Sequence, residues 1–340
     1  MAPGLRRASE SGSERTWETS DMPPRSWVDL VGYQFEAVHD GAISQLLADP
    51  GTGPRVASAL VGESVDSVVS VQRQGKVGRA KADIRVLATF HGEEHVIGVE
   101  TKVDSQMSTD QLERTAANGD HVALLCLGAS AMQTCTVVPV IDEDRNWAVM
   151  DLMRWSDLLR EVELSPLMEQ YRDAIVEEAA EHRRARAIAR GEQAPKSFTP
   201  RNEDLIAWAW LDETWKAICS MEDPGRFRAH KDISGPIFFW EDSWADCAST
   251  AGGFYVDLMG TGGRHQIALK ASGVAADLRY ETHRIIAVMN IPNALPPARR
   301  VVASNTFTAL VWDVTECTAI ETALIALEAR ETGARAAAQL

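Results

Sequence analysis

Apolar and polar residues alternate along 82–89 and again along 96–102, the period of two that marks a half-buried strand. In the first run Ile84, Val86 and Ala88 fall on one side and Asp83 on the other. In the second, Ile97 and Val99 oppose Glu100 and Lys102. The connection, Phe90-His-Gly-Glu-Glu94, is short and polar, so the pattern predicts an antiparallel hairpin. Such pairing brings the start of the first strand to the end of the second. It converges Asp83, Glu100 and Lys102, the last two about 6–7 Å apart along one face at a rise of roughly 3.3 Å per residue.

Other elements follow from the same kind of pattern. A helix is predicted from Ser26, its apolar stripe formed by Trp27, Leu30, Val31, Phe35 and Val38, with Glu36 outside the stripe and His39 and Asp40 beside it. A second helical piece, Ile43 to Leu47, stops at Ala-Asp-Pro-Gly-Thr-Gly-Pro, and Arg55 to Val61 reads as another short helix. Val65 to Gln72 predicts a strand, Ser108 caps a helix through Thr115, Val122 to Leu127 reads as a buried strand, and Thr136 to Ile141 as one more. The order places a mixed α/β sheet flanked by helices within residues 25–150, after a tail of disordered composition over 1–24. Residues 151–200 read as a connector: helices Met150 to Val162 and Pro166 to Arg190, the latter solvated, then a polar linker, Gly191 to Pro200.

Residues 201–340 predict a second, α+β domain with a largely antiparallel sheet. A helix over Glu203 to Met221 carries Trp208, Trp210 and Trp215, read as core. Strands are expected at Pro236 to Trp240, Phe254 to Met259, His265 to Lys270, Arg284 to Ile291 and Phe307 to Val314, and a last helix at Thr318 to Ala337. Gly260-Thr-Gly-Gly263 lacks the following Lys-Ser/Thr of a phosphate loop and reads as a hairpin turn.

Composition changes this picture in three ways. A net charge of −15 over 340 residues argues against a protein that coats nucleic acid non-specifically. Yet Arg73, Lys76, Arg79 and Lys81 form a basic track leading into Asp83, suited to phosphate contact. Five widely spaced cysteines without a CxxC pair point to neither a disulfide framework nor a zinc site. No apolar run has the length of a membrane span and no signal-peptide core is visible, so a cytoplasmic protein without membrane partners is expected.

Two carboxylates beside a lysine suit phosphodiester hydrolysis. Magnesium is held by one or two carboxylates plus phosphate oxygens and water, and an ammonium stabilises charge building on the phosphate. Asp83 and Glu100 are the candidate metal ligands, joined by the backbone carbonyl of Thr101. Lys102 is the candidate for positioning water or stabilising charge. Glu36 reaches in from the first helix as a supporting group or a ligand of a second ion, and Gln111 fixes the lysine or the water. A solvated helix glutamate and a helix-capping glutamine are the structural alternatives for those two, and His39 and His121 read as packing residues.

These residues resemble the PD-(D/E)XK nuclease superfamily over roughly residues 27 to 128. The nearer resemblance is to a bacterial branch carrying Glu-x-x-His, Leu-Leu-x-Asp-Pro-x-Gly and, after Glu-x-Lys, Gln-Leu-Glu-Arg-Tyr. Here Glu36-Ala-Val-His39, Leu46-Leu-Ala-Asp49-Pro50 and Gln111-Leu-Glu-Arg114 stand in those places. Thr115 replaces the usual tyrosine, and Thr101 stands where Asn is frequent. The resemblance implies a restriction-endonuclease-like fold and a Mg²⁺-dependent nuclease (Mn²⁺ substituting) acting on DNA ahead of RNA, in defence against foreign DNA. It also implies a homodimer, for which the 166–190 helix offers a face, and a regulatory partner or ligand at the C-terminal domain. The alternatives are a nuclease-fold binding or sensor protein without cleavage, and an effector nuclease that a partner activates.

Overall fold

A computed structural model of the chain describes residues 26–74, 76–77, 80–103, 114–117, 119–128, 147–194, 204–225, 227–232, 235–248, 252–261, 263–273, 276–295 and 306–340. Two five-stranded sheets, each with its own hydrophobic core, carry the fold. The tail at 1–24, residues 195–203, the strand expected at Thr136 to Ile141, the start of the Ser108 helix and Gln111 lie outside the described residues.

The first sheet is mixed. Strands β1 (Ser67–Arg73), β4 (Ile84–Phe90) and β5 (Glu93–Lys102) pair antiparallel, and β6 (His121–Cys126) and β7 (Trp147–Asp151) continue the sheet in parallel. Between β1 and β4, β2 (Lys76–Val77) and β3 (Ala80–Lys81) form a small separate ladder. The β4–β5 hairpin closes at His91-Gly92, both at positive φ (50° and 86°), the turn that matches strand twist. Strand β6 is apolar on both faces, as a parallel strand inside a sheet must be.

Helices α1 (Trp27–Val31), α2 (Glu36–Ala48) and α3 (Gly53–Val61) open the chain. The helix expected to run from Ser26 to Val38 is broken. Gly32 takes φ 109°, α1 ends there, and α2 starts afresh at Glu36 and absorbs the piece expected at 43–47. The expected stripe dissolves with it, since Leu30, Val31 and Phe35 are exposed while Val28, Ile43, Leu46 and Leu47 fill the core. Residues 147–151, partly assigned to a helix by pattern, are strand β7, and α4 (Leu152–Glu161) follows with Asp151 as its cap.

Helix α5 (Pro166–Ala189) is not the solvated connector expected. Met168, Tyr171, Ala174, Ile175 and Ala179 enter the first core, and Ala185 and Ala189 enter the second. Alanines at helical spacing read as polar-neutral in sequence, yet they let α5 pack closely against α6 (Leu205–Met221).

The second sheet is antiparallel throughout, in the order β12 (Thr306–Asp313), β11 (Arg264–Ser272), β10 (Gly253–Thr261), β9 (Gly235–Asp246), β8 (Phe227–Asp232). Helices α6 and α8 (Ala319–Ala337) cover one face, and Trp208, Trp210, Trp215, Trp240 and Trp312 are buried there. The strand expected at Arg284 to Ile291 is instead the end of helix α7 (Ala276–Val288). Thr282, Ile285, Ile286 and Met289 repeat at helical spacing against the core, so the β-branched pair misleads about the period. Among the described residues no helix is long and apolar enough to cross a membrane.

Candidate functional site

The site lies where β4 begins and β5 ends. Ile84 pairs with Val99 across the hairpin, so Asp83, one residue before β4, falls opposite Glu100. Its Oδ2 accepts the Thr101 backbone N–H at 3.1 Å. Side chains alternate along β5, so Glu100 and Lys102 share one face and Thr101 the other. Both faces are covered here: Glu100, Thr101 and Lys102 are 5 %, 0 % and 2 % exposed.

On the Glu100 face, the Lys102 ammonium lies 2.8 Å from Glu100 Oε1 and donates to the Thr101 carbonyl at 3.2 Å. Glu36, from the first turn of α2, approaches the same Nζ at 3.7 Å. The second Glu100 oxygen accepts from the hydroxyl of Thr115 at 3.0 Å. Thr115 is buried in the helical turn 114–116, at the position where the resembling branch has tyrosine. Burial lifts the Glu100 carboxyl above the usual carboxylate range, with Asp83 adding to the lift and Lys102 opposing it. Burial alone would lower the Lys102 ammonium, but the charges of Glu100, Glu36 and Asp83 outweigh it and hold the ammonium above its ordinary value. Lys102 therefore stays charged in a dry place.

On the Thr101 face stands a residue that pattern reading passed over. Asp40 is one turn beyond Glu36 on α2, 6 % exposed, and its Oδ1 has no hydrogen-bond partner. Burial, and then the nearby charge of Asp83, push its carboxyl up to about 7; Thr101 and Arg73 restrain the rise and Glu36 adds to it. The Thr101 hydroxyl that restrains it is likewise buried. Asp83 thus stands between two groups, with Glu100 and Lys102 to one side and Asp40 to the other. The 3.6-residue period sets Glu36 and Asp40, four positions apart, on one helix face, a usable signal.

Of the basic track, Arg73 reaches α2, where its Nη2 donates to the Ala37 carbonyl at 3.3 Å. Lys76 and Lys81 face each other across the β2–β3 ladder, and Arg79 lies outside the described residues. Arg85, which pattern reading also missed, follows Asp83 by two on the same face opposite side-chain-free Gly98, with its Nε buried and without a hydrogen-bond partner. His39 sits with Nδ1 3.0 Å from the Tyr171 hydroxyl and Nε2 2.7 Å from the Tyr33 carbonyl. His121 stacks on Phe90 at the opposite end of the sheet, ring centroids 4.7 Å apart.

Among the described residues no three Asp, Glu, His or Cys side chains converge as a ready-made metal cage. Magnesium asks for less, one or two carboxylates completed by phosphate oxygens and water, and the facing Asp83 and Glu100 with orphaned oxygens beside them suit that donor set. No family model, curated protein or solved structure matches the chain.

Proposed function

We propose that the chain is a metal-dependent nuclease of the PD-(D/E)XK kind, with a restriction-endonuclease-like first sheet, hydrolysing phosphodiester bonds in DNA ahead of RNA. The observation that carries this reading is the Lys102 ammonium, buried and charged among Glu100, Glu36 and the Thr101 carbonyl, with Asp83 anchored beside it. A structural ion pair needs one carboxylate; three carboxylates around one lysine leave surplus negative charge, which suits a cation and a phosphate.

Asp83, Glu100 and the Thr101 carbonyl are the residues that would hold magnesium, which when bound neutralises phosphate charge and activates water. Lys102 offers N–H donors to charge developing on the phosphate oxygens, and burial makes that interaction stronger than it would be in water. Glu36 holds the ammonium from the helix side and Thr115 orients Glu100 from the other. Arg73 and the basic turn behind it position the substrate backbone. Residues 201–340 serve recognition or regulation.

Plasmid and single-stranded DNA incubated with Mg²⁺ or Mn²⁺ provide the test, wild type beside Asp83→Ala and Lys102→Ala. The reading expects wild-type cleavage and a fall of about 100-fold or more in each variant with circular dichroism unchanged. Cleavage that survives both substitutions would place the activity elsewhere. A second reading has its own support: the ammonium occupies Glu100 Oε1 and the Thr101 carbonyl together, a site closed on itself. That suits an effector nuclease released by a partner, silent alone and active when the partner is added.

A further inference from the structure

Arg85 is a cation for which the fold supplies no anion. Its Nε is buried without a hydrogen-bond partner, and among the described residues no carboxylate or carbonyl takes a hydrogen bond from its guanidinium. In a chain of net charge −15 carboxylates are plentiful, so the lack of one here is not for want of supply. A half-buried guanidinium in that state has given up water without replacement, a cost that a ligand bringing acceptors would remove.

Strand register fixes where Arg85 stands. It pairs with Gly98 on one side and Gln72 on the other, and side chains alternate, so it shares the face of Asp83, Glu100 and Lys102. The Arg85–Gly98 rung is the next on that face after Asp83 and Glu100, roughly 6–7 Å along the strands. Gly98 adds no side chain to the rung, and Gln72 is exposed. Along β5 the face is buried at Glu100 and Gly98, half-buried at Val96 and exposed at Glu94, so it opens past Arg85 towards the hairpin turn.

We propose that Arg85 binds a backbone phosphate of the nucleic acid, the neighbour of the phosphate that meets Asp83, Glu100 and Lys102. A guanidinium presents a planar fork of donors that suits two phosphate oxygens, and with no partner in the fold those donors are available to substrate. The rungs set the order: the phosphate to be cleaved at Asp83 and Glu100, the next at Arg85, and the strand leaving over the open end of the face. The β2–β3 ladder with Lys76 and Lys81 enters β4 from the Asp83 side, so Arg85 adds the contact on the far side of the bond to be cut. This inference rests on the nuclease reading above, and its test separates the two.

The test follows binding of a fluorescently labelled DNA duplex to the full chain by anisotropy, in EDTA so that nothing is cleaved, over a series of salt concentrations. Wild type is compared with Arg85→Gln, Arg85→Lys and, as a control, Arg55→Gln, which removes an exposed arginine paired with Glu161. The slope of log affinity against log salt should fall by about one in Arg85→Gln, the loss of one phosphate contact, and hold in Arg85→Lys and Arg55→Gln. With Mg²⁺ added, Arg85→Gln should raise KM for cleavage and spare kcat. Arg85 gives the fold no hydrogen bond, so Arg85→Gln should melt no lower than wild type. A lower melting temperature with unchanged binding marks a packing residue and overturns the site, as does an equal loss of slope in Arg55→Gln. Cleavage with slope and KM unchanged in Arg85→Gln overturns the site while the nuclease reading stands. An Arg85-dependent slope in a chain that never cleaves keeps the phosphate contact and overturns the nuclease reading. No DNA bound by wild type overturns both.

Discussion

His39 shows how one side chain is used in a buried setting. Its Nε2 faces a carbonyl, which can only accept, so that nitrogen carries the proton, and Nδ1 accepts from the Tyr171 hydroxyl. Burial lowers the imidazole to about 4. In the unfolded chain it titrates near 6.5, so between those values the unfolded state binds a proton that the folded state refuses. Its neutral form contributes stability above pH 6.5, and that contribution is lost as pH falls from 6.5 toward 4. Urea unfolding at pH 7 and pH 4.5 checks this. Wild type should lose up to about 3 kcal/mol over the interval from this group, and His39→Gln should flatten that part of the slope. Lys102 behaves differently though equally buried, because three carboxylates keep it charged. At the residue scale, then, the Glu-x-x-His signature divides: His39 ties α2 to α5 through Tyr171, and Glu36 approaches Lys102.

At the scale of the element, the turn after α2 explains the Leu46-Leu-Ala-Asp49-Pro pattern without chemistry. Leu46 and Leu47 are buried, and Asp49 Oδ1 accepts from the N–H of Gly51 and Thr52 and from the Thr52 hydroxyl, at 2.9–3.0 Å. Those bonds hold the Asp49 carboxyl below its usual range. Gly53 opens α3 where a Cβ would meet the Leu47 carbonyl oxygen at 2.3 Å, so no side chain fits. Asp49→Ala should cost about 1–2 kcal/mol in chemical denaturation, the scale of a lost cap. The β4–β5 hairpin and the α8 capping box between Thr318 and Glu321 are likewise legible from local residues, because turns and caps are settled within four positions. Helix α7 was not, since Ile285-Ile286 suits a strand as well as a buried helix face.

In the whole molecule, α5 is the feature that joins the two sheets. Its first half completes one core and its last turns complete the other. Beyond packing, Arg186 reaches Asp212 at 3.2 Å and Arg190 reaches Glu213 at 3.3 Å, both partners on α6. Asp212 is 4 % exposed, so losing Arg186 strips a buried carboxylate of one of its two cations, Lys216 being the other. Arg186→Ala should cost about 1–3 kcal/mol and broaden or split the calorimetric transition as the two cores uncouple. A single unbroken transition at the wild-type temperature would show the junction to be energetically idle. Met168, Tyr171, Ala174, Ile175 and Ala179 of that helix are spent inside the first core, and Ala185 and Ala189 inside the second.

Sequence by itself determined the hairpin, the opposition of Asp83 to Glu100 and the placing of Lys102 beside Glu100, because period-two alternation and a two-residue turn are local facts. It also determined the aromatic core of the second sheet, where tryptophans lie among apolar neighbours. Only the tertiary structure decided that Glu100 is fixed by Thr115, that Asp40 is buried with its carboxyl raised beside Asp83 and Thr101, and that α5 belongs to both cores. The physical reason is common to all three. Each depends on which helix covers which face of a strand, and a side chain's cost or use is set by partners distant in sequence that no local period records.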